Sequence, residues 1–456
     1  MPSSRVAAWR PAHWSRRNRR IGGVFAALLI LFAVSFTGYR TLRPAEDLSR
    51  ATAPLPSPAQ AEALPYGELT SAPLIVEGRL RIFAEQRRVW AETPVTATQQ
   101  VTPHWSYRRW PAEAVGVITV ERSFLWGGPA LVITKWSDGA IIALEAATGV
   151  MVWQAKVDPD PDETYRGRRT GGQTVYAPDG MFTAVSAADG APVLLVAGKD
   201  QIHAYNPYTG AERWAYLFPG ASGCHRTDWT GETTYLVKDS CAAPATVDIF
   251  DAAAGTFIRS WRPSGASAGP AHEANWFVQP ASCLLGRSRC RLFRAAATAD
   301  VIAYVDAARG EEGTVPETWS VDVHGGVQEE SGVESDTPMV TGDVRVEPML
   351  NGYVWAHSRS SGALLWISAR PTMLLTIDGA SAYLADRDRD LLVVDLRTGL
   401  VTTMIDSPPR YGNGWLAGYI YLHEGFLAIE RLGSGRESDD DLHYYYAPAP
   451  VLLVGV

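Results

Sequence analysis

Beyond residue 70 the chain repeats one pattern of hydrophobic and polar positions. A short apolar run is followed by a polar residue, a few small residues, a glycine, and a second run that often carries a tryptophan. The clearest copy reads Ile141, Ile142, Ala143, Leu144, Glu145, Ala146, Ala147, Thr148, Gly149 and leads to Trp153. The next runs from Ile202 through Asn206 and Gly210 to Trp214. A third passes Asp251 and Gly255 and reaches Trp261, its tryptophan two positions late. A degenerate fourth holds Asp306, Gly310 and Trp319, a fifth Ser358, Gly362 and Trp366, and a sixth Asp395 and Gly399. Short runs punctuated by glycine predict β-hairpins.

Each part of the unit has a physical task. A polar side chain four residues before glycine bonds the backbone of the turn, and glycine supplies positive φ. The tryptophan then lies on the outgoing strand, where a large flat ring packs between neighbouring sheets. Successive turn glycines lie 61, 45, 55, 52 and 37 residues apart. A period of about 50 residues holds four short strands, the sequence mark of a propeller blade. Residues 114–120 and 130–134 read as inner strands of the first repeat, and 418–422 with 426–429 as a further pair. That pair lacks a partner for its outer edge. The strand around Trp105 can supply one and close the ring as a composite blade. The fold class expected is all-β: a β-propeller of seven four-stranded blades, or eight if segments 76–90 and 451–454 form another.

Residues 21–39, IGGVFAALLILFAVSFTGY, are nineteen positions without a charge. As a helix at about 1.5 Å per residue they span about 28 Å, close to the thickness of a bilayer's hydrocarbon. Six arginines precede the run, while Arg40 and Arg43 follow it. The positive-inside rule puts the N-terminus in the cytoplasm and the rest outside. A cleaved signal peptide would have a shorter apolar core and a small-x-small site. Here the run ends Phe36, Thr37, Gly38, Tyr39, so a single-pass signal anchor is expected. Residues 44–65 carry Pro44, Pro54, Pro56, Pro58 and Pro65 and read as an extended spacer. The organisation expected is a basic cytoplasmic tail 1–20, a transmembrane helix 21–39, a linker 40–70 and a propeller 71–456.

Charge and cysteine sharpen this picture. The first 43 residues hold eight arginines and no acid, so a chain total of −8 leaves −16 on the remainder. An acidic body repels phosphate backbones, and no nucleic-acid partner is expected. Only four of the 41 basic residues are lysine, a bias of GC-rich genomes. The cysteines, Cys224, Cys241, Cys283 and Cys290, all follow the membrane segment. An even number outside the cytoplasm suggests two disulfides, with three connectivities open. Proximity favours Cys224 with Cys241 and Cys283 with Cys290, and the paired spacing of a zinc site is missing.

The hairpins ending at Trp153 and Trp214, with partial copies at Gly255, Gly362 and Gly399, resemble those of the PQQ-like β-propeller repeat superfamily over about residues 75–456. The resemblance implies a propeller and two kinds of activity. Some members are quinone-dependent dehydrogenases. Others are non-catalytic envelope proteins, among them the lipoprotein that assists outer-membrane protein assembly. With its anchor, this chain looks like the membrane-anchored actinobacterial members. The dehydrogenases carry a disulfide between adjacent cysteines and calcium ligands beside a catalytic aspartate, and no Cys-Cys pair exists here. No catalytic residue, metal ligand or cofactor is therefore assigned.

Other motifs read as turns. Gly265-Ala266-Ser267-Ala268-Gly269 matches a nucleophile elbow, but Pro263 and Pro270 flank it and make it a loop. Asp386-Arg387-Asp388-Arg389-Asp390 resembles a calcium loop whose arginines would oppose the ion. Residues 158–163 and 439–441 read as acidic loops, and Gly412-Asn413-Gly414 as a turn. His203 and His357 are expected at equivalent strand positions, in packing roles. The function expected is a non-enzymatic binding or scaffold protein of the cell envelope, with a protein or envelope partner. The alternatives are a PQQ-dependent dehydrogenase-like oxidoreductase, and a carbohydrate- or peptidoglycan-binding propeller. The latter would line a groove with Trp105, Trp110, Trp126 or Trp136.

Overall fold

A computed structural model describes residues 16–42, 45–98, 102–167, 174–220, 224–239, 246–261, 277–296, 300–304, 318–320, 338–349, 351–386, 390–407, 415–433 and 451–456. One helix, Arg16–Leu42, precedes strands gathered into eight antiparallel sheets, seven of four strands and the first of five. The architecture is all-β and propeller-like. Most sheets are simple meanders: Ala114–Val120, Leu131–Trp136, Ala140–Glu145 and Met151–Lys156 lie side by side in chain order as the second sheet. Sheets stack on both faces of their middle strands, which explains the continuous apolar runs. In Leu131–Trp136 every side chain is buried, and in Ala140–Glu145 all but the last. The last strand of each meander is an outer edge, and Glu212–Leu217 has its side chains largely exposed. The strand that opens each meander forms an inner edge, and most contacts between sheets run through these inner strands and their partners.

The composite blade is not formed. Strand Trp105–Trp110 pairs with Arg88–Glu92 and completes a first sheet with Leu80–Glu85 and Leu74–Val76. The outer edge of the last sheet is instead supplied by Pro65–Leu69, antiparallel to Val451–Gly455. The expectation merged two sheets because it counted only hairpins with the glycine signature, and the first and eighth sheets lack it. These two share a buried cluster in which Leu74, Ile82 and Phe83 meet Phe426, Ala428, Val451 and Leu453.

The linker is also part of the fold. Ala45–Ser49 adds a fifth strand to the first sheet, antiparallel to Trp105–Trp110. Residues beyond it lie against the sheets: Ala51 N–H donates to the Thr148 carbonyl at 3.0 Å and Ala59 N–H to that of Gly78 at 2.8 Å. Its prolines do not prevent this. Pro54, Pro56 and Pro58 lie between strands, and Pro65 opens an edge strand, where a missing N–H is tolerated. Along the helix, Val24, Phe25, Leu28, Leu31 and Phe32 are exposed. Among the described residues no helix is long and apolar enough to cross a membrane.

Candidate functional site

The turn glycines and tryptophans meet across sheet boundaries. Gly149, Gly210, Gly255, Gly362 and Gly399 all take φ near +70°. Each donates its N–H to the carbonyl four residues back, on Glu145, Asn206, Asp251, Ser358 and Asp395, at 2.8–2.9 Å. The side chains of Asn206, Asp251 and Asp395 accept further N–H groups of the turn. Onto Gly149 packs Trp105 of the preceding sheet, with Trp153 on Gly210, Trp214 on Gly255 and Trp366 on Gly399. A β-carbon on any of these glycines would come within 2.6–2.7 Å of the indole. Each indole N–H donates to the carbonyl three residues before its glycine: Ala146, Pro207, Ala252 and Leu396.

A further regularity was not foreseen. The third residue after each turn glycine, at Val152, Arg213, Ile258, Leu365 and Thr402, is skipped in the strand register. This bulge re-aims the next side chain, so that Trp153, Trp214 and Trp366 turn onto the neighbouring sheet. The constant four-residue spacing from glycine to tryptophan was its signal.

At the inner edges nothing repeats. Loop residues 174–177 cross from the second to the third sheet, and Val117 N–H donates to the Val175 carbonyl at 2.7 Å. The Tyr176 hydroxyl accepts the Ala84 N–H at 2.8 Å, while Tyr165 donates its hydroxyl to the Ala84 carbonyl at 3.2 Å. Burial pushes the Tyr176 hydroxyl well above the ordinary tyrosine range. Its ring lies 6.1 Å from that of Tyr419 on the eighth sheet. Together with Ser71, Thr174 and buried Glu430 they border a space of ≈ 330 Å³ that includes open solvent.

The long hairpin of the fifth sheet, Phe277–Leu285 and Ser288–Ala296, meets the same loop. Gly286 at its tip abuts the Tyr176 carbonyl, and Arg287 pairs with Asp179 at 2.8 Å. The Ser288 hydroxyl accepts Thr183 N–H at 2.9 Å, Arg289 N–H donates to the Thr230 hydroxyl at 3.0 Å, and Val340 N–H donates to that of Ser282 at 3.0 Å. Thus one hairpin ties the third, fourth and sixth sheets. Cys283 faces Cys290 across it, and the two form a disulfide. Cys224 is disulfide-bonded as well, and Cys241 lies outside the described residues.

Charges nearby are engaged in pairs. Lys135, almost wholly buried, reaches Glu163 at 2.5 Å and the Ala197 carbonyl at 2.7 Å. Burial pushes the Glu163 carboxyl up, against the pull of Lys135. Arg81 and Glu92 form a buried pair at 2.9 Å, and Trp90 donates its indole N–H to Glu92 at 3.0 Å. Asp386 accepts Asp390 N–H at 3.0 Å and pairs with Arg370 at 2.5 Å. Residues 265–269, 412–414 and 439–441 lie outside the described residues, as does Gly310.

His203 and His357 are not equivalent: they precede their turn glycines by seven and five residues, a shift of one pleat on the same strand face. Each faces a glutamate, Glu212 at 3.3 Å and Glu347 at 3.4 Å. Trp105 and Trp136 are fully buried and cannot line a groove, Trp110 is half-buried, and Trp126 stands on an exposed loop. Among the described residues no three of His, Cys, Asp or Glu are grouped to hold a metal ion.

Residues 61–186 match the family model described as outer membrane protein assembly factor BamB. No curated protein matches the chain. Among solved structures, BamB from Moraxella catarrhalis overlaps 87% of this chain and 98% of its own at 14% identity, with a TM-score of 0.43. The C-terminal WD40 domain of Sif2 overlaps 88% and 98% at 9% identity, TM-score 0.43. The dihydro-heme d1 dehydrogenase NirN in complex with DHE overlaps 84% and 72% at 13% identity, TM-score 0.43. The family match falls on a region that holds the clearest glycine turn, and that turn recurs along the chain, so the chain is similar to the PQQ-like repeat superfamily.

Proposed function

We propose that the chain is a non-catalytic scaffold of the cell envelope: a closed eight-bladed propeller, anchored by its N-terminal helix and lying outside the cytoplasm. The observation that carries this reading is the filled inner edge. Loop 174–177 and the tip of the Phe277–Ala296 hairpin occupy the region where the sheets converge, and the polar groups there bind one another. The space bordered by Tyr165, Tyr176 and Tyr419 opens to solvent. Ring closure is supported by the pairing of Pro65–Leu69 with Val451–Gly455 and by the core that the first and eighth sheets share. The anchor is supported by the charge-free run 21–39 and the arginines before it. The match over residues 61–186 to an outer-membrane assembly factor supports an envelope role with protein partners.

The test is calorimetric titration of the purified full chain with pyrroloquinoline quinone and calcium, beside a dye-linked alcohol oxidation assay. No heat and no dye reduction are expected, and saturable binding with turnover would overturn the reading. Protease added to intact cells is expected to degrade the body, and full protection would overturn its placement.

A further inference from the structure

Between strands Ala114–Val120 and Leu131–Trp136 the chain forms a small hairpin with a bare apolar tip. Ser123 and Gly128 face each other across it, each N–H donating to the other's carbonyl at 3.0 Å. The Ser123 hydroxyl accepts Trp126 N–H at 3.1 Å. The base is clamped from the next sheet, where Tyr208 donates its hydroxyl to the Glu121 carbonyl at 2.7 Å. The Tyr208 ring lies so close to Gly128 that a β-carbon there would come within 2.0 Å of it. On this braced frame Phe124 is 91% and Leu125 89% exposed, with Trp126 at 39%. Single exposed apolar residues are ordinary, but three in succession on a fixed turn mark an interaction site.

We propose that Phe124, Leu125 and Trp126 form a rigid plug that docks into an apolar pocket, rimmed by basic side chains, on a partner protein. The proposal rests on the scaffold reading and names the surface that reading needs. Two observations choose a protein over a bilayer. The first is charge: Glu121 at the base of the tip is 79% exposed and lies 3.6 Å from His423, and Arg122 pairs with Glu77 at 2.6 Å. An exposed carboxylate beside the tip is repelled by anionic headgroups and attracted to a basic rim. The second is direction. The helix leads into Ala45–Ser49, whose Ala45 end pairs with Trp110, at the same end of the sheets as Ala114. The tip follows Val120, a strand length of about 20 Å away, at the end of the sheets opposite the helix, so the anchoring proposed above would turn it away from the bilayer. Pre-ordering the tip removes an entropic cost that a loose loop would meet on binding.

The test places a photoreactive benzophenone side chain at Phe124 of the full chain in native membranes, and separately at Leu400, an exposed apolar residue on an outer turn. Irradiation at 124 is expected to give one adduct with a different protein, its crosslinked site flanked by lysine or arginine. That adduct is expected to be absent from position 400 and to fall about tenfold with Glu121→Lys, as a rim charge reversal does. A Phe124→Ser, Leu125→Ser chain carrying the probe at Trp126 is expected to lose the adduct with its melting temperature unchanged, because both side chains lie in water. Adducts with lipid or with a second copy of the chain, equal labelling at 124 and 400, indifference to Glu121→Lys, or no adduct would each overturn the plug. Quinone binding is measured independently, so failure of the plug and failure of the scaffold reading are distinguishable.

Discussion

At the outer seams one device recurs: an indole from one sheet lies on the turn glycine of the next and donates its N–H to the same backbone position, at Gly149, Gly210, Gly255 and Gly399. At the inner edges each contact occurs once: Tyr165 and Tyr176 on the Ala84 peptide, Lys135 with Glu163, and the Gly286 tip against Tyr176. The seams join nearest neighbours only, as in a repeat array whose stability is a sum of local terms. Some inner contacts, such as Gly286 on Tyr176 and Ser288 with Thr183, join sheets that are not neighbours in sequence. The seams therefore hold each sheet to the next, while the inner edge fixes how the whole set converges and what space remains.

The comparison is tested hardest by removing one seam. Trp153→Ala empties the site over Gly210 and leaves the Pro207 carbonyl without its donor. Chemical denaturation is expected to record a loss of about 3–5 kcal/mol, typical of a large aromatic truncation. Trp153→Phe keeps most of the volume and loses the hydrogen bond, for about 1 kcal/mol. A small loss for the alanine variant would mean that the seams contribute little and that the inner edge holds the sheets. The inner edge is probed by Glu163→Gln, which removes the carboxylate charge opposite the buried Lys135 ammonium and leaves neutral acceptors, among them the Ala197 carbonyl. The expected loss is about 3 kcal/mol, the low end for breaking a buried pair, because Glu163 keeps some exposure to water.

A smaller effect separates the turn from the seam. Gly190 and Gly210 share one turn geometry: φ is +72° and +69°, and each donates its N–H to the carbonyl four residues back at 2.8 and 2.9 Å. They differ in what lies over them. Among the described residues nothing stands within 4 Å of a β-carbon at Gly190, whereas at Gly210 the Trp153 ring stands at 2.6 Å. Gly190→Ala is expected to cost about 1–2 kcal/mol from the left-handed backbone alone. Gly210→Ala adds displacement of the indole, about 1–3 kcal/mol more. Equal melting temperatures for the two variants would show that the ring yields freely.

The seams were legible from sequence because their physics is local. A polar residue, a glycine and a tryptophan at fixed spacing specify the turn, and the repetition exposes the period. Sheets without that signature were misassigned: Pro65–Leu69 and Val451–Gly455 pair across nearly the whole chain, and no spacing encodes such a contact. The inner edge was illegible for a related reason. Tyr176, Gly286 and Ser288 each look like ordinary loop residues, and they acquire meaning only where the third, fifth and eighth sheets converge. The Phe124-Leu125-Trp126 run was visible as letters, but exposure is a property of the folded hairpin and not of composition.

The smallest expected effect concerns acid and compares two copies of the same turn. Asp395 precedes Gly399 as Asn206 precedes Gly210, and both side chains accept N–H groups of the turn. Only the aspartate titrates. The Thr398 hydroxyl, followed by the Thr398 and Arg397 N–H groups, holds its carboxyl below the ordinary value of 3.8. Asp343, bonded first by the Ser358 hydroxyl, is lowered in the same way. A lowered carboxyl contributes stability that is fully present above 3.8 and is lost as pH falls through its folded value. Between about pH 5 and pH 2 the Gly399 turn is therefore expected to loosen while the Gly210 turn does not. Asp395→Asn keeps the acceptor and removes the charge, so it is expected to lower the melting temperature slightly at neutral pH and to flatten its fall in acid. The measurement is thermal melting of both chains across that range. Parallel curves would place the acid sensitivity elsewhere, and convergence at low pH would assign it to a single carboxylate that the neighbouring copy of the turn does without.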